Sequence, residues 1–272
     1  MNVALIQTEK NELLESFYRS LRQAEERLLL LDYDGTLAPF RVDRNKAVLN
    51  PDVRKSLNRI LKEQHSRIVI ISGRWTTDLI PLLALDGLPE IWGSHGIERL
   101  RPDGTYEILE LDKKGLQGLV KANAWINQNG LDSRIEEKPG CLALHWRGLD
   151  AKTIREMHDK VMKKWTSISQ EAHLSVHEFD GGIELRVSGF DKGNAVETIL
   201  SEVNGNVAAA YLGDDLTDED AFKAIQGSGL GILVREEFRP TAASIWLKPP
   251  GEMLQFLDEW DRACRASGEI YY

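Results

Sequence analysis

An unbroken apolar run, Leu28-Leu29-Leu30-Leu31, stops abruptly at Asp32-Tyr33-Asp34-Gly35-Thr36. Consecutive leucines leave no polar face, so as a strand this segment must be covered on both sides, the condition of a parallel sheet between helices. Two carboxylates at its end, spaced i and i+2, are costly to bury unless a cation or a polar pocket receives them. Open α/β sheets place their ligands at the C-terminal ends of strands. The segment therefore predicts a fold class and the position of a site: a magnesium-dependent centre where one aspartate acts on phosphate.

Other stretches repeat the pattern. Ile68-Val69-Ile70-Ile71 ends in Ser72-Gly73-Arg74, Ile91-Trp92 leads into Gly93-Ser94-His95-Gly96, and Val207 to Leu212 ends in Gly213-Asp214-Asp215. Gly231 to Val234 and Ile245 to Leu247 are shorter strand candidates. Apolar residues at helical spacing mark Asn11 to Arg27, a segment opened by Asn50-Pro51 as N-cap and first turn, and a closing helix around Met253 to Trp260. Helices alternating with near-continuous apolar strands predict a doubly wound, mostly parallel α/β core. The middle reads differently. From about Asp103 to Glu184 the strands are one-sided or mixed (Tyr106 to Leu111, Cys141 to Trp146, Ser175 to Phe179), with two helical patterns between them. This predicts an inserted α+β module, with residues 1–102 and 188–272 forming the core and 103–187 the insert.

Composition narrows the partners. A formal net charge of −9 argues against binding nucleic-acid backbones. No apolar run approaches the roughly 20 residues that span a bilayer, and Met1 to Lys10 lacks the features of a signal peptide. The two cysteines, Cys141 and Cys264, make neither a disulfide framework nor a zinc site; they read as reduced thiols of a cytoplasmic protein. An acidic protein that handles an anion must concentrate cations locally.

Carboxylates from two strand ends of one parallel sheet converge and repel unless a hard cation lies between them. Asp32 and Asp214 can offer magnesium carboxylate oxygens, and the main-chain carbonyl of Asp34 can add another. A carboxylate can attack phosphorus to form an aspartyl-phosphate. A second acid two residues on can protonate the leaving alkoxide and then activate water. Ser72 and Thr36 are candidate hydroxyl donors to the phosphoryl oxygens. Lys192, in Asp191-Lys192-Gly193-Asn194, opens a helix, where an ammonium is unfavourable unless an anion is present; a solvated surface lysine is the plainer reading. Thr217-Asp218-Glu219-Asp220 reads as a capped helix start, which is compatible with a place in a site.

Asp32-Tyr-Asp34-Gly-Thr36, Ser72, Lys192 and Gly213-Asp214-Asp215 resemble the four ordered motifs of the haloacid dehalogenase superfamily of phosphatases, whose core is Rossmann-like. The insertion between Ser72 and Lys192 lies where that superfamily carries its C2 type of cap. More narrowly, Asp34-Gly-Thr-Leu-Ala-Pro39, Ser72-Gly-Arg74, Gly93-Ser-His-Gly96, His145-Trp-Arg147, Lys192-Gly193 and Gly213-Asp-Asp-Leu-Thr-Asp-Glu-Asp-Ala-Phe222 resemble trehalose-6-phosphate phosphatases. The resemblance implies that Asp32 is the nucleophile and Asp34 the general acid and base. It implies that Thr36, Ser72, Gly73 and Lys192 hold the phosphoryl group, and that Asp32, Asp34 and Asp214 bind Mg2+. Asp215 or Asp218 supports bound water or Lys192; the spacing does not choose between them. Cap residues that read the sugar are then Lys138, His145, Arg147 and Glu184. Against this, His145 with Arg147 also reads as an exposed strand face, and Glu184 with Arg186 as a surface pair. Trp146 stands where the family often has tyrosine, and Val187-Ser188-Gly189 where it often has proline. His65, His158, His173 and His177 match no motif and read as structural or solvated.

The expected activity is hydrolysis of trehalose 6-phosphate, a small-molecule sugar phosphate, with a functional link to a sugar-phosphate synthase. Alternatives are a phosphatase for another ester (sucrose phosphate, or a mannosyl- or glucosyl-phosphoglycerate) and a non-catalytic sugar-phosphate sensor. A nucleotide-dependent kinase would need a P-loop that this chain lacks. Linkers near Leu100–Gly104 and Arg186–Lys192, the latter freed by Gly189, would let the cap close over substrate.

Overall fold

A computed structural model describes residues 3–41, 43–179 and 181–266. In chain order the elements are α1 (Val3–Gln23), β1 (Glu26–Leu31), α2 (Pro51–Glu63), β2 (Arg67–Ile71), α3 (Thr76–Leu83), β3 (Glu90–Gly93), β4 (Glu98–Leu100), β5 (Tyr106–Ile108), α4 (Lys113–Gln128), β6 (Ile135–Lys138), β7 (Cys141–His145) and α5 (Ala151–Glu171). Then follow β8 (Leu174–Phe179), β9 (Gly182–Val187), α6 (Lys192–Ser201), β10 (Val207–Gly213), α7 (Glu219–Ile225), β11 (Gly229–Val234), β12 (Ile245–Leu247) and α8 (Gly251–Ala266). Of the expected core, residues 1, 2, 42 and 267–272 lie outside the described residues.

The strands form an eight-stranded sheet, ordered β12-β11-β10-β1-β2-β3-β4-β5, and a four-stranded sheet, ordered β6-β7-β9-β8. From β12 to β3 the large sheet is parallel; β4 and β5 extend it antiparallel. This is the doubly wound α/β core that the apolar runs predict. Leu29 and Leu31 pack with α1, α2 and α8 on one face, while Leu28 and Leu30 pack with α6 and α7 on the other. All four are fully buried. At about 1.5–3 kcal/mol for each buried leucine, a charge at any of them would cost more than the strand's neighbours could offset.

The second sheet is antiparallel throughout and packs Leu142, Leu144, Ile183 and Leu185 against Leu119, Ile126, Val161 and Trp165 of α4 and α5. Alternation then sends Glu136, Lys138, Cys141, Ala143, Glu184 and Arg186 to its opposite face.

Three expectations need correction. Tyr106 to Leu111, read as part of the insert, supplies β5, which pairs with β4 at the edge of the large sheet. The α+β stretch with its own sheet therefore starts after β5. The first helix ends at Gln23, and Glu26-Arg27 belong to β1, because their backbones pair with Val207 and Ala208. Glu184 and Arg186 are not a surface pair: they are 5% and 4% exposed.

Candidate active site

β1 lies between β10 and β2, where the strand order reverses, so a crevice opens at its C-terminal end. The Asp32 N–H still donates to the Leu212 carbonyl at 2.9 Å, which holds Asp32 beside Asp214. The turn after Asp34 passes so close to Asp214 that a Cβ on Gly35, whose φ is +88°, would lie 2.2 Å from Oδ2 of Asp214. Only glycine fits there.

The Lys192 ammonium donates to Oδ1 of Asp32 at 2.6 Å and to Oδ1 of Asp218 at 2.7 Å. All three side chains are buried, so Lys192 is no surface lysine. It enters the site because Asp191 and Asn194 form a capping box that starts α6 there. Asp218 also accepts from the Tyr211 hydroxyl at 2.5 Å and from the N–H groups of Asp214 and Asp215 at 2.9 Å each. Between the two candidates left open by spacing, Asp218 is the one that orders Lys192. Asp215 instead caps Leu216 and faces the cavity.

Thr36 Oγ1 donates to Oδ2 of Asp32 at 3.0 Å and lies 3.5 Å from Asp214, so here its hydroxyl serves the carboxylates. Ser72 Oγ accepts the Arg74 N–H at 3.1 Å. Asp34 is gripped in a fork: Arg74 donates through Nε and Nη2 to its two oxygens, each at 2.6 Å. Asp32, Asp214 and Asp218 form a group of three buried carboxylates, each offering an oxygen within 4.8 Å of the others. The Asp34 side chain stands outside that cluster, which leaves its backbone carbonyl as the donor the sequence allows for.

Burial pushes Asp32 up to about 7, against the pull of Lys192 and with a further push from Asp218. Asp214 rises well above the usual carboxylate range through burial, then through Asp32 and Asp218. Crowded, buried, oxygen-only donors fit a hard divalent cation, which relieves this repulsion.

Across the crevice stands the polar face of the small sheet. Lys138 donates to the Gly73 carbonyl at 3.0 Å and to Oε1 of Glu184 at 2.8 Å. Oε2 of Glu184 lies 3.0 Å from His95 Nε2. The His95 ring rests on Gly73, where a Cβ would come within 2.6 Å of it. The loop after β2 is thus tied to two residues of the small sheet by a closed, buried ring of contacts. Burial opposes both charges of the Lys138–Glu184 pair, but each charge holds the other: Lys138 is raised and Glu184 falls well below its usual range. Burial pushes His95 down to about 4 despite Glu184, so its ring is neutral at pH 7.

Nearer the mouth, Glu136 meets His145 Nε2 at 2.9 Å and pairs with Arg44. Burial works to raise Glu136, but His145, Lys138 and Arg44 bring it down to about 2. Arg147 sits 5.5 Å from the centre of the Phe40 ring. Asp32, Asp34, Ser72, Gly73, Lys138, His145, Arg147, Glu184, Lys192, Asp214 and Asp215 line one cavity of about 140 Å3. Thr36 and Asp218 stand behind its wall, bonded to Asp32 and Lys192.

The family described as trehalose-phosphatase matches residues 30–247. The chain belongs to the trehalose-phosphatase family. A relative from Oryza sativa subsp. japonica, probable trehalose-phosphate phosphatase 4, is 30% identical over 261 residues, covering 88% of this chain and 68% of its own. Among solved structures, the C-terminal domain of C. albicans trehalose-6-phosphate phosphatase superposes with a TM-score of 0.77 at 21% identity, covering 92% of this chain and 96% of that one. A haloacid dehalogenase-like hydrolase from B. subtilis gives 0.61 at 13%, covering 85% and 98%. At these identities the superpositions speak for the fold.

Within this trehalose-phosphatase site, sequence reasoning passed over Glu136, Arg44, Phe40 and Phe179, all of which line the cavity. Glu136 had a signal: two residues before Lys138 in a strand, it must share the same face. Arg44 and Phe40 had none, because they lie in the connection after β1, Phe40 in irregular chain and Arg44 in a single 3-10 turn.

Proposed function

We propose that the chain hydrolyses trehalose 6-phosphate to trehalose and phosphate through an aspartyl-phosphate on Asp32, with Mg2+ as cofactor. One observation carries the reading: a buried carboxylate at a strand end, held by Lys192 at 2.6 Å, shares a cavity with a wall of hydrogen-bonding side chains from the small sheet. That wall suits a polyhydroxylated leaving group. Family membership supports the choice of trehalose.

In the first half-reaction a carboxylate oxygen of Asp32 bonds to phosphorus and the ester P–O bond breaks. The sugar oxygen takes a proton from Asp34. In the second, Asp34 takes a proton from water, whose oxygen bonds to phosphorus, and the P–O bond to Asp32 breaks. Lys192 and Ser72 face the phosphoryl oxygens. Arg74 aims Asp34, and Asp218 keeps Lys192 in place. Asp32 and Asp214, with the Asp34 carbonyl, are the residues that would hold the metal, with Asp215 and Asp218 in support. Magnesium, when bound, supplies charge stabilisation for the transferring phosphoryl group.

The small sheet with α4 and α5 acts as the cap, and Lys138, Glu184, His145 and Arg147 read the sugar. A cytoplasmic setting is part of the proposal, supported by two buried cysteines that form no disulfide with each other. Among the described residues no helix is long and apolar enough to cross a membrane. A synthase making the phosphorylated disaccharide would supply the substrate.

The test is phosphate release by the purified chain from trehalose 6-phosphate, sucrose 6-phosphate and glucosyl-phosphoglycerate, with magnesium and with a chelator. We expect magnesium-dependent turnover that favours the first ester, and a loss of at least about 10³-fold in Asp32→Asn. Comparable rates on all three esters would overturn the choice of sugar. Full turnover by Asp32→Asn would overturn the mechanism.

A further inference from the structure

The loop from Asp214 to Asp218 is braced from a part of the chain outside the cavity. Glu219 opens α7, and its carboxylate accepts from Thr241 Oγ1 and from the Ala242 N–H, each at 2.8 Å. It also pairs with Nη1 of Arg239. The same guanidinium reaches onward: Nη2 donates to the Asp215 carbonyl at 2.6 Å and Nε to the Asp214 carbonyl at 3.3 Å. Arg235 adds a donor to the Asp214 carbonyl at 3.3 Å. The Arg239 side chain is 14% exposed.

Two consecutive carbonyls held by one planar group fix the peptide planes on either side of Asp215. They therefore fix the direction in which the Asp214 carboxylate leaves the backbone. A guanidinium can do this because its donors form a rigid fork, whereas an ammonium is a point. The charge of Arg239 is answered by Glu219, so the pair adds little net field to the acidic cluster. Its effect on that cluster is geometric.

We infer that Arg239, seated on Glu219, is a positioning residue that sets the affinity of the Asp32/Asp214 site for a divalent cation. This rests on the magnesium reading above. Without the brace, the loop must be ordered when the ion binds, and affinity falls.

The experiment titrates the full chain with Mn2+ in the absence of substrate, follows free Mn2+ by electron paramagnetic resonance, and displaces it with Mg2+. Arg239→Gln and Arg239→Lys should each raise the Mn2+ Kd by about tenfold, at the low end of the effect of removing a group that orients a ligand. Glu219→Gln, which keeps acceptors for Thr241 and Ala242 but loses the charge that seats Arg239, should fall between them and the unsubstituted chain. If Arg239→Gln melts below the assay temperature, Arg239→Lys and Glu219→Gln carry the test. Full rescue by lysine would overturn the geometric account, and an unchanged Kd in all variants would overturn the brace. A parent chain that binds no Mn2+ would overturn the magnesium reading itself.

Discussion

Arg74 offers a sharp test of how the site moves protons. Its fork meets both oxygens of Asp34 at 2.6 Å, its side chain is 5% exposed, and that of Asp34 is 29% exposed. Each hydrogen bond to a charged group is worth about 1.5–3 kcal/mol. Arg74→Lys keeps the charge but can satisfy one oxygen, so it loses about one bond, or roughly 10- to 150-fold in rate. Arg74→Ala loses both, but water can reach the half-exposed Asp34. The expected cost is about 3–4 kcal/mol, or several hundred-fold.

The two half-reactions make this loss diagnostic. In the proposed mechanism a sugar alkoxide needs a proton from Asp34 to leave, while p-nitrophenolate does not. With p-nitrophenyl phosphate, the burst of phenolate in Arg74→Ala should stay within about threefold of the parent, while steady-state turnover falls because Asp34 must still activate water. With trehalose 6-phosphate both phases should fall. Stopped-flow absorbance and quench-flow phosphate release measure the two. A burst that slows as much as turnover would refute the idea that Arg74 acts through Asp34, and would place it in phosphate binding.

Three further outcomes are expected. Gly35→Ala should cost about 1–3 kcal/mol in chemical denaturation, from its left-handed backbone alone, and should abolish most activity because Asp214 must move; a variant with native stability and more than half the activity would contradict this. Arg147→Met should lower kcat/KM for trehalose 6-phosphate about tenfold to a hundredfold and leave p-nitrophenyl phosphate turnover nearly unchanged, and equal losses on both substrates would remove Arg147 from sugar recognition. Glu136, brought down to about 2 from an ordinary 4.5, contributes stability that is full above pH 4.5 and is lost as pH falls toward 2. Its magnitude is on the order of 3 kcal/mol, so melting of the parent should fall faster than that of Glu136→Gln between those pH values, and parallel curves would contradict the pairing.

The parts legible in the sequence are those whose partners lie within a few residues. Leu28 to Leu31 announced a strand covered on both faces, and Asn50-Pro51 began α2 with the Asn50 side chain accepting the Asp52 N–H. Asp32 and Asp214 could be placed because each follows a strand of clear pattern, whereas Lys192 read on its own as a solvated surface lysine and was singled out by the family resemblance. What stayed hidden depends on partners far along the chain. β4, Glu98–Leu100, gave no strand signal because its charges are buried only through partners outside the strand: Glu98 accepts from Thr76, Ser94 and Tyr106. α3 begins without a side-chain cap and contains Pro81, so its propensity signal is weak. Glu184 and Arg186 alternate with apolar residues like a solvated strand face. Only the arrival of Lys138 from β6 and His95 from the turn after β3 makes that face an interior. The Ser72-Gly-Arg74 motif named Arg74, but nothing local revealed that its partner is Asp34.

The net charge of −9 posed a difficulty for a protein that binds a phosphate dianion. The cavity resolves it by local composition. Arg44, Arg74, Lys138, Arg147 and Lys192 line it against Asp32, Asp34, Glu136, Glu184, Asp214 and Asp215. Formally the lining carries one negative charge in excess, far from the imbalance of the chain, and one divalent cation would tip it positive. The cations are also spent unevenly. Lys138 and Arg74 are committed to Glu184 and Asp34, and burial makes those pairs expensive to break. Lys192, shared between Asp32 and Asp218, lies beside the oxygens where phosphate must sit. On the magnesium reading proposed above, affinity for the phosphoryl group would depend on an ion between Asp32 and Asp214. On the same reading, the fixed pairs would orient the proton carrier and the sugar wall, and the exchangeable charge would be concentrated where the bond breaks.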